Sequence, residues 1–385
     1  MSAPAPGLDT DALLRDRSTR IIVCCGSGGV GKTTTAAALA LWAAEHGRDA
    51  VVITVDPARR LAQAMGLTEL DNTPRPIPVD APGTLHAMML DMKRTFDEIV
   101  EAHADPERAA QILANPFYQS LSSTFSGTQE YMAMEKLGQL RRSDEWDLII
   151  VDTPPSRSAL DFLDAPERLG RFLDSKLMKF LSSSESASGR AFRLLGAGFG
   201  IVTGIIGKIV GAQLLRDVQT FVTAFDAVFG GFQERATQTY RLLQAPGTAF
   251  LVVAAPETDA IREASYFVER LSDERMPLAG LVVNRTHRSK VPRLSAARSL
   301  AAAEALEETG EHLVTASALR LHAERMRIQD RELRIRESFT SAHPSIPVVE
   351  VPAQPEDVHD FAGLRRIGRA LADPENRPGE QSTPT

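Results

Sequence analysis

Seven short apolar runs, rich in β-branched residues, punctuate the chain. Most of these runs are continuous rather than alternating, which is typical of parallel strands that are covered on both faces. Helical stretches such as 33–45, 58–65 and 259–271 separate them, and this rhythm predicts an α/β fold with a doubly wound, mostly parallel sheet. The apolar runs span residues 20–25, 50–55, 85–90, 147–151, 249–254, 279–283 and 346–351.

Two long intervals of the chain lack strand-like runs and have a helical pattern instead. Residues 92–145 and 157–246 are therefore expected to form a helical subdomain, inserted into a single domain that spans residues 16–372. Residues 1–15 and 373–385 are expected to be disordered tails.

Two stretches of biased composition interrupt the helices and strands. Residues 71–83 are rich in proline and residues 182–189 are rich in serine, so both are expected to be loops.

The first apolar run leads directly into a glycine-rich loop and then into a helix. Its residues match the pattern G-x-x-x-x-G-K-[ST], in which backbone N–H groups and a helix N-terminus converge on a phosphate. Lys32 can reach the β- and γ-phosphates, and the Thr33 hydroxyl can ligate Mg²⁺. The predicted phosphate-binding residues are Gly26, Ser27, Gly28, Gly29, Val30, Gly31, Lys32, Thr33 and Thr34.

Polar residues also follow several other predicted strands. Ligands bind beyond the carboxyl ends of parallel strands, so the loop, Asp56, Asp91, Asp152 and Asn284 are expected to converge on one site. Asp152 follows an apolar strand in a Walker B arrangement and can hold Mg²⁺ directly or through water. The Asp56 carboxylate can orient a water molecule towards the γ-phosphate, or it can cap the following helix.

Three of these motifs together resemble the ArsA-type ATPases, which comprise arsenite-pump and tail-anchored-protein-targeting ATPases within the deviant-Walker class of P-loop proteins. They are the glycine-rich loop, the Val-Asp-Pro-Ala stretch at 55–58 and Asp-Thr-Pro-Pro at 152–155. The resemblance implies a P-loop NTPase fold with ATP or ADP and Mg²⁺ bound, and a dimer with the nucleotide near its interface. It also implies site roles: Lys32 contacts phosphate, Thr33 and Asp152 bind Mg²⁺, Asp56 orients the attacking water, Asn284 reads adenine and Pro352 lies in the adenine loop.

Shorter stretches add weaker support to this resemblance. Residues 125–130 with Glu135 look like the family's Pro-Gly-x-x-Glu helix, and Pro256-Glu257 looks like its Pro-Glu segment. Residues 283–285 and 351–356 resemble the family's two adenine-contacting segments.

The departures from the family pattern are informative as well. Ser27 stands where the family has a second lysine that reaches the partner's nucleotide. Either hydrolysis is slow, or the chain pairs with a paralogue that supplies the missing cation. The segment after Asp152 lacks the glycine and histidine that the family usually has there. In the segment after Asp56, Arg59 and Arg60 follow Ala58, where the family usually continues with histidine. These arginines either contact phosphate or a partner, or they face solvent.

The net charge and the cysteines limit which partners and metals this protein is expected to bind. The net charge of −7 gives no global reason to expect nucleic-acid binding. The two cysteines, Cys24 and Cys25, are adjacent on one predicted strand and point to opposite faces, so they are not expected to bind a metal jointly. The arsenite-binding cysteines and the zinc-binding Cys-x-x-Cys of the proteins that the chain resembles have no counterpart here, so neither a metalloid site nor a zinc site is expected. The first nine residues lack the pattern of a secretory signal, and we expect a cytoplasmic protein, with peripheral attachment to a membrane left open.

An apolar segment with a stripe of glycines occupies residues 194–215. Three interpretations remain open for it: a tightly packed helix in the subdomain core, an apolar groove or lid for a hydrophobic client, and a membrane span.

Together these observations predict a Mg²⁺-dependent ATPase that acts as a dimeric switch, as a homodimer or a heterodimer, and handles a hydrophobic client or a membrane protein. One alternative is the ATP-hydrolysing subunit of an anion transporter that does not bind arsenite through its own cysteines. Another is a slowly hydrolysing, nucleotide-bound scaffold.

Overall fold

The strands of the described residues form one mixed sheet. The computed structural model describes residues 5–56, 60–116, 118–119, 128–154, 232–289, 291–310 and 312–377 of the chain. Within these residues the sheet has eight strands in the order β3-β4-β2-β5-β1-β6-β7-β8, and all pairs are parallel except β3 with β4. The strands are β1 (Ile21–Cys25), β2 (Ala50–Thr54), β3 (Arg75–Ile77), β4 (Leu85–Met89), β5 (Leu148–Asp152), β6 (Thr248–Ala254), β7 (Leu278–Thr286) and β8 (Val348–Pro352).

Helices flank this sheet and cover its apolar residues. The alanine-rich α2 packs against α11 and against β1, β2 and β5, and α8 packs on β6 and β7. Leu39, Leu41 and Ile367 are buried in a core cluster with Ile22 and Leu251 of the sheet. The helices in the same compact unit as the sheet are α1 (Thr10–Arg15), α2 (Lys32–Glu45), α3 (Arg60–Ala64), α8 (Thr258–Asp273), α9 (Ala296–Thr309), α10 (Leu313–Ala342) and α11 (Phe361–Ala372).

The described residues divide into two compact units. One comprises residues 5–89, 144–154 and 243–377 and contains the whole sheet; the other comprises residues 90–143 and 232–242. The helices of the second unit are α4 (Met92–His103), α5 (Pro106–Ala114), α6 (Thr128–Ser143) and most of α7 (Phe232–Gln244).

The register of the sheet brings three strand ends together. β1 lies between β5 and β6, and β2 lies on the other side of β5. Cys24 of β1 and Thr54 of β2 both pair with Asp152 of β5. The loops that follow β1, β2 and β5 therefore begin at the same edge of the sheet, which is where ligands bind in α/β sheets.

The prediction of a doubly wound, mostly parallel sheet is confirmed, but one strand was missed. The short strand β3 lies inside the proline-rich stretch that was expected to be a loop. It pairs antiparallel with β4 at the edge of the sheet, which is the place in a sheet where a proline is tolerated.

The expectation of a disordered N-terminus is wrong for residues 5–15. Gly7 pairs with Val348, and Asp9 caps α1 by accepting a hydrogen bond from the backbone N–H of Ala12. Leu8 and Leu14 are buried in the main core, so this segment is held by apolar packing as well as by hydrogen bonds.

The expectation for the C-terminal tail is wrong for residues 373–377 in the same way. Residues Pro374–Asn376 form a 3₁₀ turn that is capped by Asp373, and Asn376 accepts a 2.7 Å hydrogen bond from Arg288. The side chain of Arg377 forms a 2.8 Å ion pair with Asp9, which joins the two ends of the described chain.

The glycine-striped segment 194–215 lies outside the described residues, as do residues 182–189. In the parts of the chain that the structure describes, no helix combines the length and the apolar character that a bilayer crossing requires.

Candidate functional site

The glycine-rich loop between β1 and α2 has the backbone shape that its sequence predicts. Gly26, Gly29 and Gly31 have positive φ angles of 145°, 77° and 97°. A Cβ atom on Gly26 would lie 2.1 Å from the backbone oxygen of Val253, and a Cβ on Gly31 would lie 2.2 Å from Nδ2 of Asn284. Only glycine fits these two positions, because the loop passes directly against β6 and β7.

Helix α2 begins at Lys32 directly after this loop. Its N-cap residue is Gly31, and no side chain caps it. The N–H groups of the first helical turn therefore have no side-chain acceptor, and the positive end of the helix dipole is available to an anion. This is the arrangement that phosphate-binding loops use.

The side chain of Lys32 is largely buried beside acidic groups. Its Nζ donates a 2.8 Å hydrogen bond to the backbone oxygen of Ser27. Burial lowers the pKa of Lys32 from its usual value, and the nearby carboxylates of Asp152 and Asp56 oppose this shift. The hydroxyl of Ser27 is buried and has no hydrogen-bond partner among the described residues.

Asp152 is the most buried acidic group of the site, with none of its surface exposed. Its Oδ2 accepts 2.8 Å hydrogen bonds from the hydroxyls of both Thr33 and Thr54. Burial raises the pKa of Asp152 to about 6, while these hydrogen bonds and the charge of Lys32 act in the opposite direction.

These residues fit a magnesium site. Oδ1 of Asp152 is buried and accepts no hydrogen bond within the described part of the chain. A buried carboxylate oxygen without a partner is costly, and Mg²⁺ or a water on its coordination shell would satisfy it. Hard oxygen donors such as a hydroxyl and a carboxylate are the ligands that Mg²⁺ prefers.

Asp56 lies at the end of β2 and is 7% exposed. Its backbone N–H donates a 3.2 Å hydrogen bond to the hydroxyl of Thr54, and its Oδ2 lies 3.8 Å from Nη1 of Arg60. Residues 57–59, which include Arg59, lie outside the described residues.

Asn284 lies at the end of β7 with both polar atoms of its amide engaged. Nδ2 donates a 2.8 Å hydrogen bond to the backbone oxygen of Val30, and Oδ1 accepts a 3.0 Å hydrogen bond from the N–H of Arg285. Pro352 ends the neighbouring strand β8, and the following residue, Ala353, donates its N–H to the oxygen of Thr286.

A cavity of about 900 Å³ is lined by several of these groups. This volume lies within the range of about 300–1,000 Å³ that is typical of sites for small molecules and cofactors. The predicted site residues that line the cavity are Gly29, Gly31, Lys32, Thr33, Thr34, Asp56, Asn284 and Pro352. The predicted residues Gly26, Ser27, Gly28, Val30 and Asp152 belong to the adjacent loop and strand ends.

Asp91 does not join this group, contrary to expectation. It caps α4 by accepting a 2.9 Å hydrogen bond from the N–H of Arg94, and it belongs to the second unit. The reason is that its strand, β4, is separated from β1 by β2 and β5.

Glu135 also belongs to the second unit. It is 3% exposed and pairs with Arg142 and Arg235. Residues 120–127, which include the first three residues of the motif at 125–130, lie outside the described residues.

Several residues of the site were missed by sequence reasoning. Thr54 contacts Asp152 directly, and its position opposite that residue in the register is the signal that would have found it. Arg285 lines the cavity with a positive φ of 63°, a conformation that non-glycine residues rarely adopt and that has no sequence signature. Gln63 and His359 line the cavity from α3 and from the segment before α11.

The two cysteines are unreactive parts of the core. Cys24 and Cys25 are fully buried free thiols. Burial raises the pKa of Cys25 to about 12 and raises that of Cys24 as well. A protonated thiol is a poor ligand and nucleophile.

Comparison with known proteins decides the family. A family model described as an anion-transporting ATPase matches residues 19–309, well over half of the chain. The chain belongs to the ArsA-type ATPase family. The resemblance drawn from the three motifs is thereby confirmed, and ATP hydrolysis is the activity of this enzyme class.

Individual relatives are named as ATPases as well. The protein named ATPase GET3 of Podospora anserina is 27% identical over 292 residues, which cover 74% of this chain and 80% of that protein. ATPase GET3 of Malassezia globosa is 32% identical over 174 residues, or 45% of this chain and 49% of that protein. The ATPase ASNA1 homolog of Cryptosporidium parvum is 27% identical over 260 residues, covering 67% of this chain and 63% of that protein. This ArsA-type chain thus spans about half the length of the Malassezia relative.

Proposed function

We propose that the ArsA-type chain hydrolyses Mg·ATP in the 900 Å³ cavity and uses the reaction as a dimeric switch that handles a hydrophobic client. The observation that carries the catalytic part is the contact between Thr33 of the P-loop and Asp152 of β5, which leaves a buried carboxylate oxygen for a metal ion or its water. The whole domain, residues 16–372 with its helical subdomain, is proposed to act as one switch.

Each residue of the loop has a physical task in this proposal. The N–H groups of the loop and of the first turn of α2 bind the phosphate oxygens. Lys32 is a charged donor at the same end of the helix, and it exchanges the oxygen of Ser27 for a phosphate oxygen. Thr33 and Asp152 would hold Mg²⁺, which neutralises charge on the β- and γ-phosphates.

Asp56 is proposed to orient the attacking water. It lines the cavity and lies at the end of the strand next to Asp152, with Arg60 at 3.8 Å. A carboxylate in this position accepts a hydrogen bond from water and directs the oxygen towards the γ-phosphorus.

The adenine end of the nucleotide is proposed to lie between Asn284 and the segment that begins at Pro352. Both line the cavity on the side of β7 and β8. The amide of Asn284 is already bonded to Val30 and Arg285, so it contributes a rigid edge rather than a freely rotating group.

The proposals of a dimeric switch and of a hydrophobic client depend on the family to which the chain belongs. Relatives named ATPase GET3 support the client-handling proposal through the resemblance to tail-anchored-protein-targeting ATPases. An anion transporter subunit is the alternative that the family description favours, and the buried, unreactive cysteines disfavour arsenite as its anion.

Ser27 favours slow hydrolysis and hence the scaffold alternative. A serine carries no charge with which to reach a partner's nucleotide, and a trans-acting cation is worth roughly 10³-fold or more in other NTPases. If a homodimer has Ser27 near its interface, Ser27→Lys raises kcat, whereas a Ser27→Ala control leaves it unchanged. Sedimentation with ADP and with ATP reports the dimer itself.

A steady-state ATPase assay tests the catalytic part. Wild-type protein is expected to release phosphate with Mg²⁺ and not with EDTA, and Asp56→Asn is expected to lower kcat by about 10²-fold or more while binding nucleotide normally. Phosphate release that is equal in both proteins would contradict the role of Asp56.

A crosslinking assay tests the client. A photoreactive transmembrane peptide is offered to the protein with ATP and with ADP, beside a control peptide whose apolar residues are replaced by serine. Nucleotide-dependent crosslinking of the apolar peptide alone supports the client proposal, and equal crosslinking of both peptides contradicts it.

A further inference from the structure

The hydroxyl of Thr54 lies between two acidic residues of the site. It donates a 2.8 Å hydrogen bond to Oδ2 of Asp152 and accepts a 3.2 Å hydrogen bond from the backbone N–H of Asp56. One buried side chain therefore contacts both the residue proposed to hold Mg²⁺ and the residue proposed to orient water. Thr54 itself is 1% exposed.

Other buried threonines satisfy their hydroxyls differently. Thr10, Thr95 and Thr153 each donate to a backbone carbonyl oxygen. Thr54 donates to a carboxylate instead, and a hydrogen bond to a charged group is roughly twice as strong as one between neutral groups.

The backbone reinforces this contact. Thr54 and Asp152 are register partners in the parallel ladder of β2 and β5. The N–H of Val55 donates a 3.0 Å hydrogen bond to the backbone oxygen of Asp152. The end of β2 is thus held against Asp152 by the side chain of Thr54 and by the backbone of Val55.

We propose that Thr54 is a positioning residue that couples Asp152 to Asp56, so that the two acidic residues keep a fixed relation during hydrolysis. The inference rests on the proposed hydrolysis and adds a residue to it. Without the hydroxyl, the carboxylate of Asp152 keeps the donor from Thr33 within the described part of the chain, and Asp56 loses its backbone contact with the Thr54 side chain.

The test compares Thr54→Val, which keeps the shape and removes the hydroxyl, with Thr54→Ser, which keeps the hydroxyl. Thr54→Val is expected to lower kcat for ATP at least about tenfold, a loss of about 1.4 kcal/mol of transition-state stabilisation, with KM within about twofold of wild type. Thr54→Ser is expected to restore kcat to within about threefold of wild type.

Thr10→Val serves as the matched control, because it removes a fully buried hydroxyl that bonds to Leu371 away from the cavity. It is expected to lower the melting temperature without changing kcat. If Thr54→Val lowers the melting temperature but leaves kcat at the wild-type value, the hydroxyl is merely structural and the inference is overturned.

A second measurement does not depend on ATP hydrolysis. In a double-mutant cycle, the unfolding equilibrium constants of Thr54→Val, Asp152→Asn and the double variant are measured in EDTA. The constant of the double variant is expected to differ by at least about threefold from the value that additive effects would give. Additive effects would overturn the coupling even in a protein that hydrolyses ATP. A wild-type protein that binds but does not hydrolyse ATP would contradict the proposed function instead, and the cycle would still decide the coupling.

Discussion

Asn284 donates a 2.8 Å hydrogen bond from its side-chain amide to the backbone oxygen of Val30, and this bond fastens the end of β7 to the P-loop. The same nitrogen would lie 2.2 Å from a Cβ on Gly31. The loop and the strand end that is proposed to read adenine are therefore packed as one wall of the cavity, and a change in Asn284 reaches the phosphate-binding loop as well.

Asn284→Asp tests this relationship. The substitution places a carboxylate oxygen against the carbonyl oxygen of Val30, so the donor is replaced by a repulsive acceptor. We expect the Kd for Mg·ADP, measured by calorimetry, to rise at least about tenfold, which is about 1.4 kcal/mol. An unchanged Kd in folded protein would show that the contact does not position the loop.

Gly26→Ala is expected to disrupt the loop through a steric clash. Its Cβ would lie 2.1 Å from the oxygen of Val253, so either the loop or β6 must move. Gly310→Ala is the control, since Gly310 also has a positive φ, of 70°, but no atom of the described chain lies within 4 Å of its Cβ position.

The control separates backbone strain from the clash. Gly310→Ala is expected to cost about 1 kcal/mol of unfolding free energy and to leave nucleotide binding unchanged. Gly26→Ala is expected to cost more than that in urea unfolding and to weaken Mg·ADP binding at least about tenfold. Equal costs in both variants would contradict the clash.

Arg48 is expected to be critical for stability. It is 2% exposed, and its guanidinium donates to the carboxylate of Asp147 and to the backbone oxygens of Leu14 and Thr19. Arg48→Met removes the guanidinium donor from the backbone oxygens of Leu14 and Thr19, while the carboxylate of Asp147 keeps its ion pair with Arg17. We therefore expect a loss of at least about 2 kcal/mol in urea unfolding.

The exposed pair of Arg15 and Asp11 provides the comparison for Arg48. Its arginine side chain is 55% exposed, and Arg15→Met is expected to cost less than about 1 kcal/mol in the same urea titration. A similar loss in the two variants would show that the buried hydrogen bonds of Arg48 contribute little.

The stability of the protein is expected to depend on pH through His86. Burial lowers the pKa of His86 below its usual value of 6.5, against the opposing charges of Asp49 and Glu145. The unfolded chain then binds a proton more readily than the folded one. The stability contributed by neutral His86 is therefore complete above the unfolded pKa and is lost as pH falls through the folded pKa.

His86→Phe isolates this effect, since phenylalanine keeps the ring that meets Trp146 edge-on but cannot titrate. The wild-type free energy of unfolding is expected to fall between about pH 7.5 and about pH 5, and the variant is expected to fall less. Urea titrations at the two pH values measure this difference. If the free energy of unfolding changes equally with pH in the two proteins, His86 makes no contribution.

Sequence patterns predicted the parallel sheet well because its strands are continuous apolar runs. They failed at β3, since three residues that include Pro76 form a strand only by pairing with β4 at the sheet edge. They failed again at residues 5–15, because the order there comes from contacts with Val348 and Leu371, which are distant in sequence.

In the candidate site, too, local sequence patterns revealed some residues and missed those that depend on strand order and register. The glycine loop was predictable because its spacing is local, and the structure brings it beside Asp56, Asp152 and Asn284. Asp91 was misassigned because a strand end alone does not give the strand order. Thr54 was missed because its importance arises from the register of β2 against β5.

The most direct test of the account is calorimetry of Mg·ADP binding to the wild-type protein and to Lys32→Ala, with melting curves to confirm that both are folded. The account predicts one nucleotide per chain with a wild-type Kd of about 1–100 μM, and at least about tenfold weaker binding in the variant. Folded wild-type protein that gives no binding heat with either Mg·ADP or Mg·ATP, or that binds both no better than Lys32→Ala does, would contradict it.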